Sequence, residues 1–306
     1  MKTISVNEIN ERLRTDAEAF IRETDAAFAQ QIEAVAEELH AHVDESPIVL
    51  LSGPSGSGKT TSARMLEHYL DTRGHETHAL SMDNYFNPLS EEQQQLSLEG
   101  KLDLESPNRM DISFLNEQLM DMFRGKEVPL PTYDFATCGR VFHGETLRRR
   151  PGEIVILEGI HALNPAVISI PDEYFRGIYV SVRTRVTLGD ETLHPAYIRL
   201  MRRMLRDLGR DRSFAETVRM FENVQRGENQ NIMPYKNRAD YDIDTFQAYE
   251  LAAYHGLCAE DLSELSRMPQ LELMERMLEQ LIPVREEQIP GDALVREFIG
   301  NSLFIN

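Results

Sequence analysis

Eight consecutive residues, Gly53-Pro54-Ser55-Gly56-Ser57-Gly58-Lys59-Thr60, follow the spacing G-x-x-x-x-G-K-[ST]. Gly53, Gly56 and Gly58, with Ser55 and Ser57 between them, let successive backbone N–H groups turn inward around an anion without bulky side chains in the way. Lys59 adds a mobile positive charge for the outer phosphates, and the Thr60 hydroxyl is a hard oxygen suited to Mg²⁺. Thr61 opens the helical run that follows, whose positive N-terminus points at the same place. This spacing supports the holding of a nucleoside triphosphate such as ATP together with Mg²⁺.

Two carboxylates have the right setting to act beside such a loop. Glu158 closes the apolar run Ile154–Leu157 and precedes Gly159, so it stands at the carboxyl end of a predicted strand, the edge of an open parallel sheet that faces a ligand crevice. Asp83 ends a similar run, ALSMD, just before Tyr85-Phe86. A carboxylate there can accept the proton of an attacking hydroxyl or share in holding the cation. Further along, YIRLMRRMLRDLGRDRS puts Ile198, Met201 and Leu205 on one helix face and Arg199, Arg202, Arg203 and Arg206 on the rest, with Arg210 and Arg212 following. Guanidinium groups stabilise a phosphoryl group in transfer, and an arginine-bearing lid excludes water, so a lid is the expectation here.

These residues need elements to position them. Short apolar runs at Ile48–Leu51, Ala79–Met82, Ile154–Leu157 and Ile178–Val182 alternate with helical stretches, the signature of an α/β fold with a parallel sheet. Residues 8–44 carry Phe28, Ile32, Val35, Leu39 and Val43 at three- and four-residue spacing and read as a helical lead-in. Between Val128 and Arg150 the pattern PLPTYDF, ATCG, RVFHGETL predicts a β-hairpin excursion. A last amphipathic helix carries Leu271, Met274, Leu278 and Leu281, before the closing segment IPGDALVREFIGNSLFIN. The expected organisation is a helical extension over 1–45, a core domain over 46–258 and a helical extension over 259–306.

The 51 acidic against 32 basic residues give a net charge of −19. Such a field repels nucleic acid and makes a concentrated arginine stripe conspicuous. No run approaches the roughly 20 apolar residues that a bilayer requires, and no secretory signal is evident, so no membrane partner and a cytoplasmic location are expected. Cys138 and Cys258 fall in no metal or redox spacing and read as reduced thiols. The guanine-reading N-K-x-D pattern and the LSGGQ signature of transport ATPases are absent.

The motifs GPSGSGKTT, SMDNYF, PTYDF, VILEGIHAL, RLMRRMLRD and MPYKNRADYDI, in this order from about Ile48 to Asp244, resemble the uridine kinase and phosphoribulokinase family, closest to its bacterial uridine-kinase-like branch. The resemblance implies a nucleoside-monophosphate-kinase-like P-loop fold, a three-layer sandwich around the parallel sheet. It implies Asp83 beside the attacking 5′-hydroxyl and Glu158 linked to magnesium. Tyr133 and Phe135 match hairpin aromatics that hold a base, Tyr85 lies in the acceptor motif, and Asp103 approximates an aspartate on ribose hydroxyls. Arg199 and Arg202 match helix arginines near phosphates and nucleoside, while Arg210 and Arg212 fall in the lid. One position departs: Cys138 stands where uridine–cytidine kinases carry a base-reading histidine.

The expectation is ATP-dependent phosphorylation of a nucleoside 5′-hydroxyl, uridine foremost, with catalytic roles for Lys59, Asp83, Arg202, Arg210 and Arg212. Kinase action on another small alcohol such as a sugar phosphate, or a nucleotide-sensing regulatory ATPase, are the alternatives. The acceptor's identity and a homo-oligomeric state stay open at this stage.

Overall fold

The computed structural model describes residues 2–98, 102–103, 105–208, 213–258 and 271–305. The chain begins with a short strand, β1 (Thr3–Ser5), and a long helix, α1 (Val6–Ala41). The helix is broken at Asp16, whose extended backbone lets its carboxylate accept the N–H of Ala19 (2.9 Å) and cap the second half. β2 (Ile48–Ser52) is buried at every residue and runs into the glycine-rich loop and α2 (Lys59–Thr72). β3 (Thr77–Ser81), α3 (Glu91–Leu98) and α4 (Ile112–Phe123) follow.

The predicted hairpin is two stacked antiparallel ribbons: β4 (Glu127–Pro129) pairs with β7 (Thr146–Arg148), and β5 (Thr132–Asp134) with β6 (Gly139–Val141). Next come β8 (Ile154–Glu158), β9 (Phe175–Ser181), β10 (Arg185–Leu188), β11 (Glu191–Leu193), α5 (Pro195–Leu208) and α6 (Phe214–Asn231). The chain closes through β12 (Tyr241–Asp244), α7 (Glu250–Cys258), α8 (Glu272–Gln280) and α9 (Arg296–Ile299).

The central sheet has the order β12-β9-β2-β8-β3, and every pairing is parallel. The four apolar runs are its inner strands and one edge, because a strand covered on both faces must be apolar throughout. The fifth strand, β12, reads Tyr-Asp-Ile-Asp and buries only Ile243, so it carries no such run. One face packs Val49 and Leu51 against Phe28, Ile32 and Leu66, together with Leu294 and Phe298 from the end of the chain. On the other, Ile48 and Leu50 pack against Leu115, Leu119 and Ile168. Each such burial contributes roughly 1.5–3 kcal/mol. The result is a three-layer α/β sandwich.

A second core joins both ends of the chain to the arginine helix: Ile9, Leu13 and Phe20 meet Met201, Met204, Phe214 and Leu278. A small sheet, β1-β10-β11, ties the first residues to the middle of the chain, with Thr3 opposite Arg185. Among the described residues no helix is long and apolar enough to cross a membrane.

Candidate active site

The loop after β2 is shaped by close approach. A Cβ on Gly53 would stand 2.1 Å from the Val180 carbonyl oxygen, so only glycine fits. Gly58 closes the loop at φ +84° and begins α2 with no side-chain cap of its own, so the first-turn amides suit an anion, and the Thr61 N–H is held by the Glu297 carboxylate (3.1 Å). Lys59 Nζ rests on the Pro54 carbonyl (3.2 Å), and the buried Ser57 Oγ has no hydrogen-bond partner. A phosphate-bearing ligand would satisfy both the amides and the orphaned hydroxyl.

Three neighbouring strands end side by side. Leu51 of β2 and Ser81 of β3 both lie opposite Glu158 of β8 in register, which puts the loop, Glu158 and the turn holding Asp83 together at the carboxyl edge. Burial raises the Glu158 carboxyl to about 7; the nearby Lys59 opposes this, and the Asp83 charge adds to it. Thr60, Asp83 and Glu158 are hard oxygen donors, and a divalent cation among them would offset the repulsion of the two half-buried carboxylates. That donor set fits Mg²⁺.

Sequence reasoning missed two groups in this neighbourhood. Burial lifts Glu105 to about 7, against the pull of Arg203 and with the charges of Glu228 and Asp83 adding, and its Oε2 has no hydrogen-bond partner. His161, inside the VILEGIHAL motif, is pushed down to about 4 by burial. The motif quoted His161 without singling it out, and Glu105 lies only two residues past Asp103.

Three arginines of α5, Arg199, Arg202 and Arg203, are tied into the loop and its neighbours. Arg199 forms a two-pronged pair with Glu228 (2.7 and 2.8 Å) and donates to the Ser55 carbonyl (2.9 Å), while Glu228 accepts the Ser55 N–H (3.0 Å). Arg202 is wholly buried, paired with Glu250 (2.7 and 3.0 Å) and bonded to the Gly56 carbonyl (3.2 Å). Arg203 donates to Ser55 Oγ. These three guanidiniums hold the loop at Ser55 and Gly56, and Arg199 and Arg202 are each paired with a carboxylate as well. Each of those two carboxylates is buried on another helix, a pairing that the arginine spacing alone does not reveal. Arg210 and Arg212 lie outside the described residues.

Residues 48–252 match the model of the Phosphoribulokinase / Uridine kinase family. The chain belongs to that family. Among its relatives, the uridine kinase of Staphylococcus carnosus (strain TM300) is 32% identical over 206 residues, covering 66% of this chain and 88% of that protein. The uridine kinase of Staphylococcus haemolyticus (strain JCSC1435) is 32% identical over 200 residues, 64% of this chain and 86% of that protein. A solved structure of a "possible uridine kinase" from Bacillus stearothermophilus aligns with a TM-score of 0.43 at 16% identity, covering 70% of this chain and 98% of that one. By the family match and the 32% identical relatives, the chain is a P-loop kinase of the phosphoribulokinase and uridine kinase family.

On the β5–β6 ribbon, Tyr133 is buried, edge-on to Phe86 (5.7 Å) and to Phe135 (5.1 Å), and Arg109 reaches its hydroxyl (3.5 Å). Phe135 is 65% exposed. Cys138 adopts φ +52° at the ribbon turn, and its thiol leans on the Phe135 carbonyl (3.5 Å). Asp103 is exposed and accepts the Glu105 N–H (3.0 Å). Tyr85 does not join them. It is buried against Phe114, with its hydroxyl donated to Gln118 (2.8 Å), because the helical turn Met82–Tyr85 directs it into the core.

Proposed function

We propose that this kinase transfers the γ-phosphoryl group of ATP to the 5′-hydroxyl of a nucleoside, uridine foremost. The observation that carries the reading is the in-register pairing of Leu51 and Ser81 with Glu158, which supports a site shared by the loop, Asp83 and Glu158. The loop amides and Lys59 hold the triphosphate. Asp83 accepts the proton of the attacking hydroxyl, and its position two residues beyond β3 lets it do so beside the phosphates. Thr60, Asp83 and Glu158 would hold Mg²⁺, which supplies charge neutralisation of the phosphate oxygens when bound. The arginines contribute by keeping the loop rigid, so that its amides need no reorganisation as charge builds. Tyr133, Phe135, Cys138 and Asp103 form the acceptor side, and the 32% identical uridine kinases support uridine as the first acceptor to try.

The test is ADP release with a panel of pyrimidine nucleosides, purine nucleosides and sugar phosphates. Uridine is expected to stimulate release most strongly. Asp83→Asn is expected to lower kcat by about 10²–10⁴-fold while MgATP still binds. Full turnover by that variant would remove Asp83 from the role, and stimulation by sugar phosphates alone would remove the nucleoside.

A further inference from the structure

The closing segment of the chain ends on the phosphate loop. Arg296 anchors it, donating to Glu286 Oε1 (2.9 Å) and to the Ile289 carbonyl (2.7 Å). From there Leu294 reaches the loop, its Cδ1 lying 2.8 Å from where a Cβ on Gly58 would stand. Phe298 lies under the Arg202 guanidinium, 4.9 Å from ring centre to carbon. Between them Glu297 turns its carboxylate onto the first turn of α2, where Oε2 accepts both the N–H (3.1 Å) and the hydroxyl (2.7 Å) of Thr61.

Thr61 belongs to the open N-terminus that Gly58 leaves uncapped, and its amide is among those the loop offers to phosphate oxygens. A carboxylate now sits there in place of an anionic ligand. Beside it a flat ring is stacked on an arginine that also holds the Gly56 carbonyl. An anion next to an aromatic face is the pair of groups that a nucleotide itself presents. Two negative groups cannot share one amide, and Glu158 stands close enough to feel the Glu297 charge.

We propose that the segment 293–299 is an internal competitor for the nucleotide, and that ATP binds only as Glu297 leaves Thr61. The proposal rests on the reading of residues 53–60 as the ATP site. An open recess of about 600 Å³ flanks the segment, lined by Phe28, Met65, Tyr69, Leu294 and Phe304, and gives it space to move. The protein then spends part of its time closed, and its apparent affinity for ATP falls by the fraction of open molecules.

The experiment measures MgATP affinity by calorimetry on the full chain and on Glu297→Gln, which keeps the packing of Leu294 and Phe298. Amide hydrogen exchange over 293–300, with and without MgATP, is read in parallel. The variant is expected to bind about tenfold tighter, and the wild-type segment to exchange faster once MgATP is bound. Equal or weaker binding by the variant overturns the proposal. So does tighter binding with a segment that stays protected, because charge removal without movement explains it. No MgATP binding by either protein overturns the kinase reading and the competition together.

Discussion

Two carboxylates grip the phosphate loop, one at each end, and they are built differently. Glu228 takes the Ser55 N–H with its own charge clasped by both nitrogens of Arg199, and only 3% of its surface is exposed. Glu297 takes the Thr61 N–H with no ion pair of its own among the described residues, from a four-residue helix near the end of the chain. The first contact is a strut, since removing either partner strands a buried charge. The second is exchangeable, since water or a phosphate oxygen can replace it at small cost. A loop that must be rigid yet accept a ligand needs both kinds.

Stability measurements can break this contrast. Glu228→Ala leaves Arg199 buried without its partner and is expected to cost about 3–5 kcal/mol, read as a lower urea midpoint. A loss below about 1 kcal/mol would show that the pair is not a strut.

The tail side has its own sensitivity to pH. Asp25 of α1 accepts the Tyr249 hydroxyl (2.8 Å), its other oxygen has no hydrogen-bond partner, and it borders the same recess as Asp292 of the tail. Burial raises its carboxyl to about 7, with the Asp292 charge adding. The folded protein therefore keeps a proton that the unfolded chain gives up near pH 4. Stability is expected to fall as pH rises from about 4 to about 7, and to level off above, by on the order of 4 kcal/mol. Asp25→Asn should flatten that part of the melting temperature against pH profile; an unchanged slope would assign it to other groups.

The smallest effect expected is that of Glu297→Gln on folding. The amide oxygen accepts from Thr61 more weakly than the carboxylate does, so stability read from the urea midpoint should fall by about 1.4 kcal/mol, the equivalent of the tenfold rise in open molecules. A loss as large as that of Glu228→Ala would make the two grips alike and erase the distinction.

How much of this is legible in the sequence follows from what each signal encodes. The G-x-x-x-x-G-K-T spacing fixes a backbone shape, and the loop lies between strand and helix as that spacing requires. Apolar runs report burial on both faces, so four strands of the main sheet are visible, while β12 escapes with two aspartates in four residues. Partnering is not encoded locally. Arg202 meets Glu250 across 48 residues and Arg199 meets Glu228 across 29, so the arginine stripe alone does not reveal which of its members are paired with carboxylates. Tyr85 illustrates the same gap at short range: a single turn of helix after β3 decides which of Asp83 and Tyr85 faces the crevice, and no periodicity spans four residues. The role of ALVREFIGNS is invisible for a related reason, since its contacts lie with residues at the other end of the chain.

The 236 residues that separate Thr61 from Glu297 also order events during synthesis. At about 5–20 residues per second, the loop leaves the ribosome some tens of seconds before the segment that will cover it. The nascent chain therefore passes through a stage in which the Thr61 amide is open to cellular nucleotide, before the residues that will cover it exist.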